Sequence, residues 1–353
     1  MKFHKGRGAI SNADGRYEST THVSEDDGWG VHDAEPPPLK TTVTNEAART
    51  IISRNDSPDI PFDRSINPYR GCEHGCVYCF ARPTHAYHGL SPGLDFETRL
   101  FAKPNASVLL AEELRKSNYI CNVMALGSNT DPYQPIERER RITRGLLEVL
   151  AEYNHPVAIV TKSALIERDI DIIAAMAQKN LATVYISITT LDKTLARHME
   201  PRAATSLRRL ETLRTLHAAG IPVGVLTAPM IPALNDTELE AILEAAVEAG
   251  ARWAGYVLVR LPLEIKDLFQ EWLMEHYPLK AEHVMSLIRQ SHDGKEYDAT
   301  FGARMRGTGI YADMIENRFR LACKRLGLNQ QRALLDTGQF RVPLRSGDQL
   351  GLF

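Results

Sequence analysis

The pattern of hydrophobic positions changes near residue 64. From there to residue 259, short apolar runs alternate with amphipathic stretches. Short apolar runs bounded by turn residues predict buried strands, whereas apolar residues spaced three and four apart predict helices. The predicted strands cover residues 65–69, 120–126, 156–161, 182–188, 221–228 and 253–259. The predicted helices cover residues 77–87, 137–153, 168–178, 206–219 and 236–249.

This alternation predicts an α/β fold with a parallel sheet of about six βα units, because strands that are apolar on both faces need helices on either side. Residues 61–262 form the predicted core. Residues 1–60 lack hydrophobic periodicity and predict a partly disordered extension, with Trp29 as an anchor. Residues 263–338 predict a helical C-terminal extension, and residues 339–353 predict a flexible tail.

Composition and charge narrow the class of protein. The chain of 353 residues is 43% hydrophobic and 24% charged, which is typical of a globular protein. Its formal net charge of −2 gives no overall basic field for nucleic acid, so any such contact needs a local patch. No apolar run approaches the roughly 20 residues that span a bilayer. With few cysteines and no signal peptide, the sequence predicts a cytoplasmic protein without a membrane partner.

One short loop carries three of the five cysteines, in the spacing C-x3-C-x2-C. These are Cys72, Cys76 and Cys79, whereas Cys121 and Cys323 lie far along the chain. Thiolates this close together can face a common point, which favours a soft metal centre. Three thiolates leave one position open, and an open position is typical of a catalytic metal.

A structural zinc site is the alternative for this loop. It would use the three cysteines with His74, His85 or His88 as the fourth ligand. In that case the chain would be a non-catalytic zinc-binding interaction module rather than an enzyme.

Cys72, Cys76, Tyr78 and Cys79 resemble the cluster loop of the radical S-adenosylmethionine (SAM) superfamily. The wider segment, residues 67–83, is similar to a bacterial branch related to spore photoproduct lyase, a DNA repair enzyme. This resemblance implies a partial (β/α)6 barrel of the TIM type and a [4Fe–4S] cluster on the three cysteines, with SAM on the fourth iron. The resemblance also implies the reaction type. One electron from the cluster would cleave SAM, and the resulting 5′-deoxyadenosyl radical would abstract a hydrogen atom from the substrate. The implied electron donor is a protein such as flavodoxin or ferredoxin.

Ligands collect at the C-terminal ends of strands in such sheets, so the polar residues there are the candidates for binding SAM. Ser128, Thr130 and Asp131 follow the second predicted strand, where the resemblance implies contacts with the methionine part of SAM. The Gly-Gly-Glu form that is usual there is absent. Lys162 follows the third strand, and the resemblance implies a pairing with the SAM carboxylate.

The remaining candidates come from the fourth strand onward. Ser187 lies at the end of that strand on the same face as Thr189, so its hydroxyl is placed to bind SAM. Similarity of the segments after this strand to radical SAM enzymes predicts Glu200 and Arg208 near SAM. Tyr78 completes the predicted cofactor-binding residues.

The substrate hypothesis is a nucleic acid, in the form of damaged or modified DNA. A protein, a tRNA or a metabolite remains the alternative. Photoproduct lyases use a further cysteine near the end of the second strand, and residues 125–129 contain none, so the lyase reaction itself does not follow. The chain ends in Gln349, Leu350, Leu352 and Phe353, which resemble the motif that docks on the bacterial DNA sliding clamp.

Overall fold

The computed structural model describes residues 6–18, 39–331 and 334–344. Its strands are β1 (Thr42–Asn45), β2 (Ile52–Arg54), β3 (Arg64–Ile66), β4 (Tyr69–Arg70), β5 (Arg99–Ala102), β6 (Met124–Leu126), β7 (Val157–Thr161), β8 (Ala182–Ser187), β9 (Val223–Met230) and β10 (Trp253–Leu258). Trp29 and the last five residues lie outside the described ranges, so the predictions for them stay predictions.

The α-helices alternate with the strands through the core and continue beyond β10. They are α1 (Asp95–Thr98), α2 (Ala106–Leu114), α3 (Glu137–Arg140), α4 (Ile142–Glu152), α5 (Ile170–Ala177), α6 (Lys193–Met199), α7 (Ser206–Ala218), α8 (Leu239–Glu248), α9 (Ile265–His276), α10 (Pro278–Gln290), α11 (Ala303–Arg306) and α12 (Gly309–Leu326). Among the described residues, none of the helices combines the length and the apolar character that crossing a bilayer requires.

Seven strands form the main sheet, in the order β10-β9-β8-β7-β6-β3-β2. Six of them are parallel, and β2 pairs antiparallel with β3 at one edge. The predicted six-stranded partial barrel is therefore confirmed. A second sheet of three strands, β1-β5-β4, lies beside the start of the barrel, and the hydrophobic pattern does not predict it.

The two largest apolar cores among the described residues hold these elements. The larger one joins β6 to β10 with the flanking helices, as expected for a parallel sheet covered by helices. The smaller core joins Cys76, Val77 and Tyr78 of the cysteine loop to Phe269 of α9 and Val284 of α10. The C-terminal extension therefore packs directly under the candidate metal loop.

Local structure around the cysteines differs from the sequence prediction. The helix predicted over residues 77–87 is replaced by the turns of the cysteine loop and a 3-10 helix at Arg82–His88. The strand predicted from residue 120 begins at Met124, which leaves Cys121 before the strand and only partly buried. In both stretches the backbone forms hydrogen bonds with distant segments or turns instead of extending a regular element.

The buried His155 predicts a pH dependence of stability. Its Nε2 accepts a hydrogen bond from the Tyr119 hydroxyl at 2.7 Å, and its Nδ1 donates to the Pro156 carbonyl at 3.0 Å. Burial lowers the pKa of His155 to about 4. Between about pH 6.5 and pH 4 the imidazole of His155 is protonated in the unfolded chain but stays neutral in the folded chain. The free energy of unfolding therefore falls as the pH falls.

We expect the free energy of unfolding of His155→Gln to fall less steeply with decreasing pH than that of the wild type, by up to about 1.4 kcal/mol per pH unit. Urea unfolding of the wild type and the variant between pH 8 and pH 5 measures it. Above pH 7 the two unfolding free energies should differ by a constant amount. A gap that stays constant down to pH 5 would contradict the prediction.

Candidate active site

The cysteine loop connects β4 to the 3-10 helix that begins at Arg82. Cys72 and Cys76 are buried, Cys79 is partly buried, and all three are free thiols. The Cys72 amide donates to the Phe96 carbonyl at 3.0 Å, and the Val77 amide donates to the Met199 carbonyl at 3.1 Å. The loop is therefore held from both sides by backbone contacts with segments distant in sequence.

A buried ion pair between Arg82 and Glu97 fixes the back of the loop. Arg82 donates to the carbonyls of Cys76 at 2.9 Å and of Gly93 at 2.8 Å. Since both charged side chains are fully buried, the pair depends on these hydrogen bonds to offset the loss of hydration.

The N-terminal segment joins the same ion pair. The Glu97 carboxylate accepts hydrogen bonds from the amides of Gly8 at 3.0 Å and Ala9 at 2.9 Å. A Cβ atom on Gly8 would lie 1.7 Å from the Gly75 carbonyl oxygen, so only glycine fits there. We name the group formed by Arg82, Glu97, Gly8 and Ala9 the N-terminal clasp.

Asp131 ties the loop to the ends of β6 and β7. It accepts hydrogen bonds from the Thr161 hydroxyl and the Lys162 amide, both at 2.7 Å, and its Oδ2 lies 3.4 Å from His74 Nδ1. Burial alone would raise the pKa of Asp131, but the nearby His74 and the hydrogen bonds lower it to about 2. The Thr130 hydroxyl donates to the Tyr69 carbonyl at 3.1 Å. Both candidate side chains thus already bind protein groups, whereas Ser128 lies partly exposed in the same turn.

Glu200 connects the loop to the end of β8. Its carboxylate accepts hydrogen bonds from the Tyr78 hydroxyl and, at 2.6 Å, from the Thr189 hydroxyl, and it pairs with the Arg209 guanidinium. Burial would raise the pKa of Glu200, but the charges of Arg209 and Lys162 lower it to about 2. Ser187 lies at the same strand end, and its hydroxyl donates to the Ala228 carbonyl at 3.3 Å.

Lys162 supplies a partly buried positive charge beside the cysteines. Its ammonium lies 5.8 Å from the centre of the Tyr78 ring. Burial would lower the pKa of Lys162, but the neighbouring Cys76 sulfur and the Glu200 carboxylate outweigh burial and raise it. Among the described residues no carboxylate lies within ion-pair distance of this ammonium.

The structure brings Arg209, rather than Arg208, to Glu200. Arg209 is buried and also donates to the Ser187 carbonyl at 2.9 Å. Arg208 pairs instead with Glu167 at 2.6 Å, and 41% of its side chain is exposed. Successive residues of a helix point about 100° apart, so the phase of α7 decides which arginine reaches the site. The sequence shows two adjacent arginines and carries no local signal for that phase.

The donor set fits a group that binds three thiolates. Burial raises the pKa of the Cys72 and Cys79 thiols and raises that of Cys76 to about 12, so without a cation these groups stay protonated. A bound metal group would stabilise the thiolates by its own charge. Three thiols on one loop match the ligand type of iron–sulfur clusters.

The histidines that the zinc alternative requires have other contacts. His74 faces Asp131, His85 Nε2 lies 2.9 Å from the Arg99 carbonyl, and the His88 ring packs on Phe101 at 4.9 Å between centroids. In the part of the chain that the structure describes, no three Cys, His, Asp or Glu side chains converge as a single ion would need. The three histidines thus already contact other protein groups.

Comparison with protein families identifies the superfamily of this chain. The family model of the radical SAM superfamily matches residues 66–246, which is more than half of the chain and includes the three cysteines. The chain belongs to the radical SAM superfamily. As a member of it, this protein is a radical SAM enzyme, and the family implies SAM, an iron–sulfur cluster and an electron donor.

Relatives of this radical SAM enzyme occur in bacteria, archaea and a virus. An uncharacterized protein of Mycobacterium tuberculosis is 36% identical over 233 residues, which cover 65% of this chain and 68% of the relative. An uncharacterized protein of Methanocaldococcus jannaschii is 28% identical over 222 residues, covering 62% and 78%. One of Acidianus two-tailed virus is 28% identical over 287 residues, covering 78% and 87%.

Solved structures with the same fold include spore photoproduct lyase complexed with dinucleoside spore photoproduct. It has a TM-score of 0.58 and 15% identity, covering 81% of this chain and 80% of that one. A double mutant of spore photoproduct lyase with bound AdoMet and dinucleoside spore photoproduct has a TM-score of 0.53 and 14% identity, covering 81% and 80%. At such identities the similarity concerns the fold, and it supports the partial barrel.

Proposed function

We propose that Cys72, Cys76 and Cys79 hold a [4Fe–4S] cluster with one iron open to SAM, and that the enzyme abstracts a hydrogen atom from damaged or modified DNA. The observation that carries the first part is the set of three free thiols on one loop, with the Lys162 ammonium beside them. When bound, such a cluster supplies the electron that cleaves SAM.

The residues around the loop suit the binding of an amino-acid-like ligand. Lys162 is partly buried, and no carboxylate of the described residues pairs with its ammonium, so it is the proposed partner of the SAM carboxylate. Ser128 and Ser187 supply nearby polar groups at two strand ends. The proposed role of Asp131, Thr130, Tyr78 and Glu200 is to orient the cysteine loop and Lys162, because their polar atoms are engaged with protein groups. Arg208 points to Glu167, so we assign its proposed role to Arg209.

Two observations support nucleic acid as the substrate. The fold is similar to that of a lyase complexed with a dinucleoside photoproduct. The terminal residues resemble a sliding-clamp motif, which would bring the enzyme to DNA through a partner. A base reacting at the barrel mouth would have to leave the helical stack, which costs a few kcal/mol. The proposed reductant is flavodoxin or ferredoxin.

Reductive SAM cleavage by the anaerobically reconstituted protein tests this proposal. DNA that carries photoproducts, undamaged DNA, RNA and peptides are compared, each deuterated at exchange-stable positions. We expect damaged or modified DNA to accelerate formation of 5′-deoxyadenosine and to transfer deuterium into it.

Three outcomes would contradict parts of the proposal. Deuterium transfer from RNA or peptide alone would overturn the substrate class but leave the radical chemistry intact. Deuterium transfer from none of the substrates would contradict nucleic acid as the target. Iron-free protein, or reconstituted protein that does not cleave SAM under any condition, would overturn the assignment of the three cysteines.

A further inference from the structure

Arg260 differs from other arginines near the site in its partners. Arg82, Arg209 and Arg304 each pair with a carboxylate, of Glu97, Glu200 and Asp59 respectively. Arg260 is partly buried, and among the described residues no carboxylate pairs with it. Its Nε is buried without a hydrogen-bond partner, and its one hydrogen bond to a described residue is from Nη2 to the Tyr297 hydroxyl at 3.4 Å. A guanidinium has five donors, so most of its hydrogen-bonding capacity is unused.

The unused donors of Arg260 lie close to the cysteine loop. Arg260 follows β10, at the C-terminal end of the last strand, and its guanidinium lies 5.2 Å from the centre of the Phe80 ring. Phe80 comes directly after Cys79, in the segment that follows β3 and β4, and its side chain is 45% exposed. The main sheet is open, with β10 at one end and β2 and β3 at the other. Phe80 and Arg260 therefore meet across the gap of the barrel, near the C-terminal ends of the strands, where ligands collect in such sheets.

A second arginine, Arg304, also reaches across this gap, but its guanidinium is already bound to protein groups. Arg304 pairs with Asp59 and donates to the Ser57 hydroxyl, and the Gly302 amide donates to Asp59 at 2.6 Å. Its charge is therefore neutralised within the protein. Of these two arginines, Arg260 is the cation that remains available to an anionic ligand.

We propose that Arg260, Phe80 and Tyr297 form a phosphodiester-binding site, which seats one nucleotide of an extruded or single-stranded nucleic acid beside the cysteine loop. The inference rests on the proposed function and specifies where its substrate is held. The planar fork of a guanidinium matches two phosphate oxygens, and the Tyr297 hydroxyl adds a donor. The exposed part of the Phe80 ring offers a surface on which a base stacks. A cation beside an exposed aromatic ring is the combination by which proteins bind unpaired nucleotides.

The test compares Arg260→Gln with Arg252→Gln. Arg252 is an exposed arginine that directly precedes β10, whereas Arg260 follows it, so the control removes the same charge at the opposite end of this strand. The probe is a fluorescent single-stranded DNA oligonucleotide, measured by anisotropy at several salt concentrations. A second oligonucleotide has the same bases and an uncharged methylphosphonate backbone.

We expect Arg260→Gln to weaken binding of the phosphodiester oligonucleotide about 10-fold and to reduce the salt dependence by about one phosphate contact. Arg252→Gln should stay within about twofold of the wild type, as expected for a charge without a phosphate partner. The methylphosphonate oligonucleotide should bind the wild type and Arg260→Gln equally. Equal loss in both arginine variants, or no loss in Arg260→Gln, would overturn the site.

Two further measurements distinguish the remaining outcomes. They are the binding of a 5′-mononucleotide and the rate of SAM cleavage without substrate. A 5′-mononucleotide that binds as tightly as the oligonucleotide would overturn the polymeric ligand in favour of a free nucleotide. If the wild type binds no oligonucleotide, the substrate class of the proposed function fails together with this site. Substrate-free SAM cleavage should be equal in all three proteins. If Arg260→Gln alone lowers it, Arg260 acts on the SAM site and the inference is wrong.

Discussion

Alanine at Cys76 is expected to abolish both iron binding and SAM cleavage. The same result is expected for Cys72 and Cys79, because the loop supplies three thiols and each corner of the cluster needs its own ligand. Loss of a group that only supports a metal ligand costs about 10- to 100-fold in affinity or activity. Loss of a ligand should therefore cost more than about 100-fold. The measurements are iron per chain after anaerobic reconstitution, with about four expected for the wild type, and the rate of 5′-deoxyadenosine formation.

Cys121→Ala is the matched control for this experiment. Cys121 is a free, partly buried cysteine just before β6, distant in sequence from the loop. Its replacement should leave the iron content and the rate of SAM cleavage unchanged. If Cys76→Ala still held four irons and produced 5′-deoxyadenosine at the rate of the control, the assignment of the cluster ligands would be wrong.

Arg82→Met is expected to lower the free energy of unfolding by about 3 to 5 kcal/mol, the cost of removing one partner of a buried ion pair. Methionine keeps much of the side-chain length but leaves the Glu97 carboxylate without its cation. It also removes hydrogen bonds to four carbonyl groups, of Gly75, Cys76, Pro92 and Gly93. Denaturant unfolding of the metal-free protein, followed by circular dichroism, measures the loss.

Arg325→Met provides the comparison at the surface. Arg325 pairs with Glu244 at 2.6 Å, but both side chains are about half exposed, so this change should cost less than about 1 kcal/mol. Similar losses in the two variants would show that the Arg82–Glu97 pair does not stabilise the fold in the way its burial indicates. Gly8→Ala probes the clasp from its other side, and it should also destabilise the protein, because the added methyl group meets the Gly75 carbonyl.

The sequence predicts the barrel well because its signal is local. The strands β6 to β9 are short apolar runs, and each of these runs is followed by a stretch of helical periodicity, so the order of these elements is predicted without knowing any distant contact. The cysteine loop is also local, because its three thiols lie within eight residues. These two features give the fold class and the candidate metal ligands.

The remainder of the site depends on contacts between residues distant in sequence. Gly8 lies 89 residues from Glu97, and nothing near Gly8 shows periodicity that would indicate burial. Glu97 belongs to a four-residue helix, where an acidic side chain would ordinarily face solvent. Arg209 escapes sequence reasoning for a related reason, since only the packing of α7 against β8 distinguishes it from Arg208.

The clasp and the Glu200 contacts have a consequence for biogenesis. The cysteine loop contacts the N-terminal segment through Glu97 and contacts Met199 and Glu200 directly, and Glu200 is made 122 residues after Tyr78. We therefore expect the protein to fold before it binds the proposed cluster, unlike zinc fingers, where the metal drives folding. Cells short of iron should consequently accumulate a folded, metal-free precursor that can mature without being resynthesised.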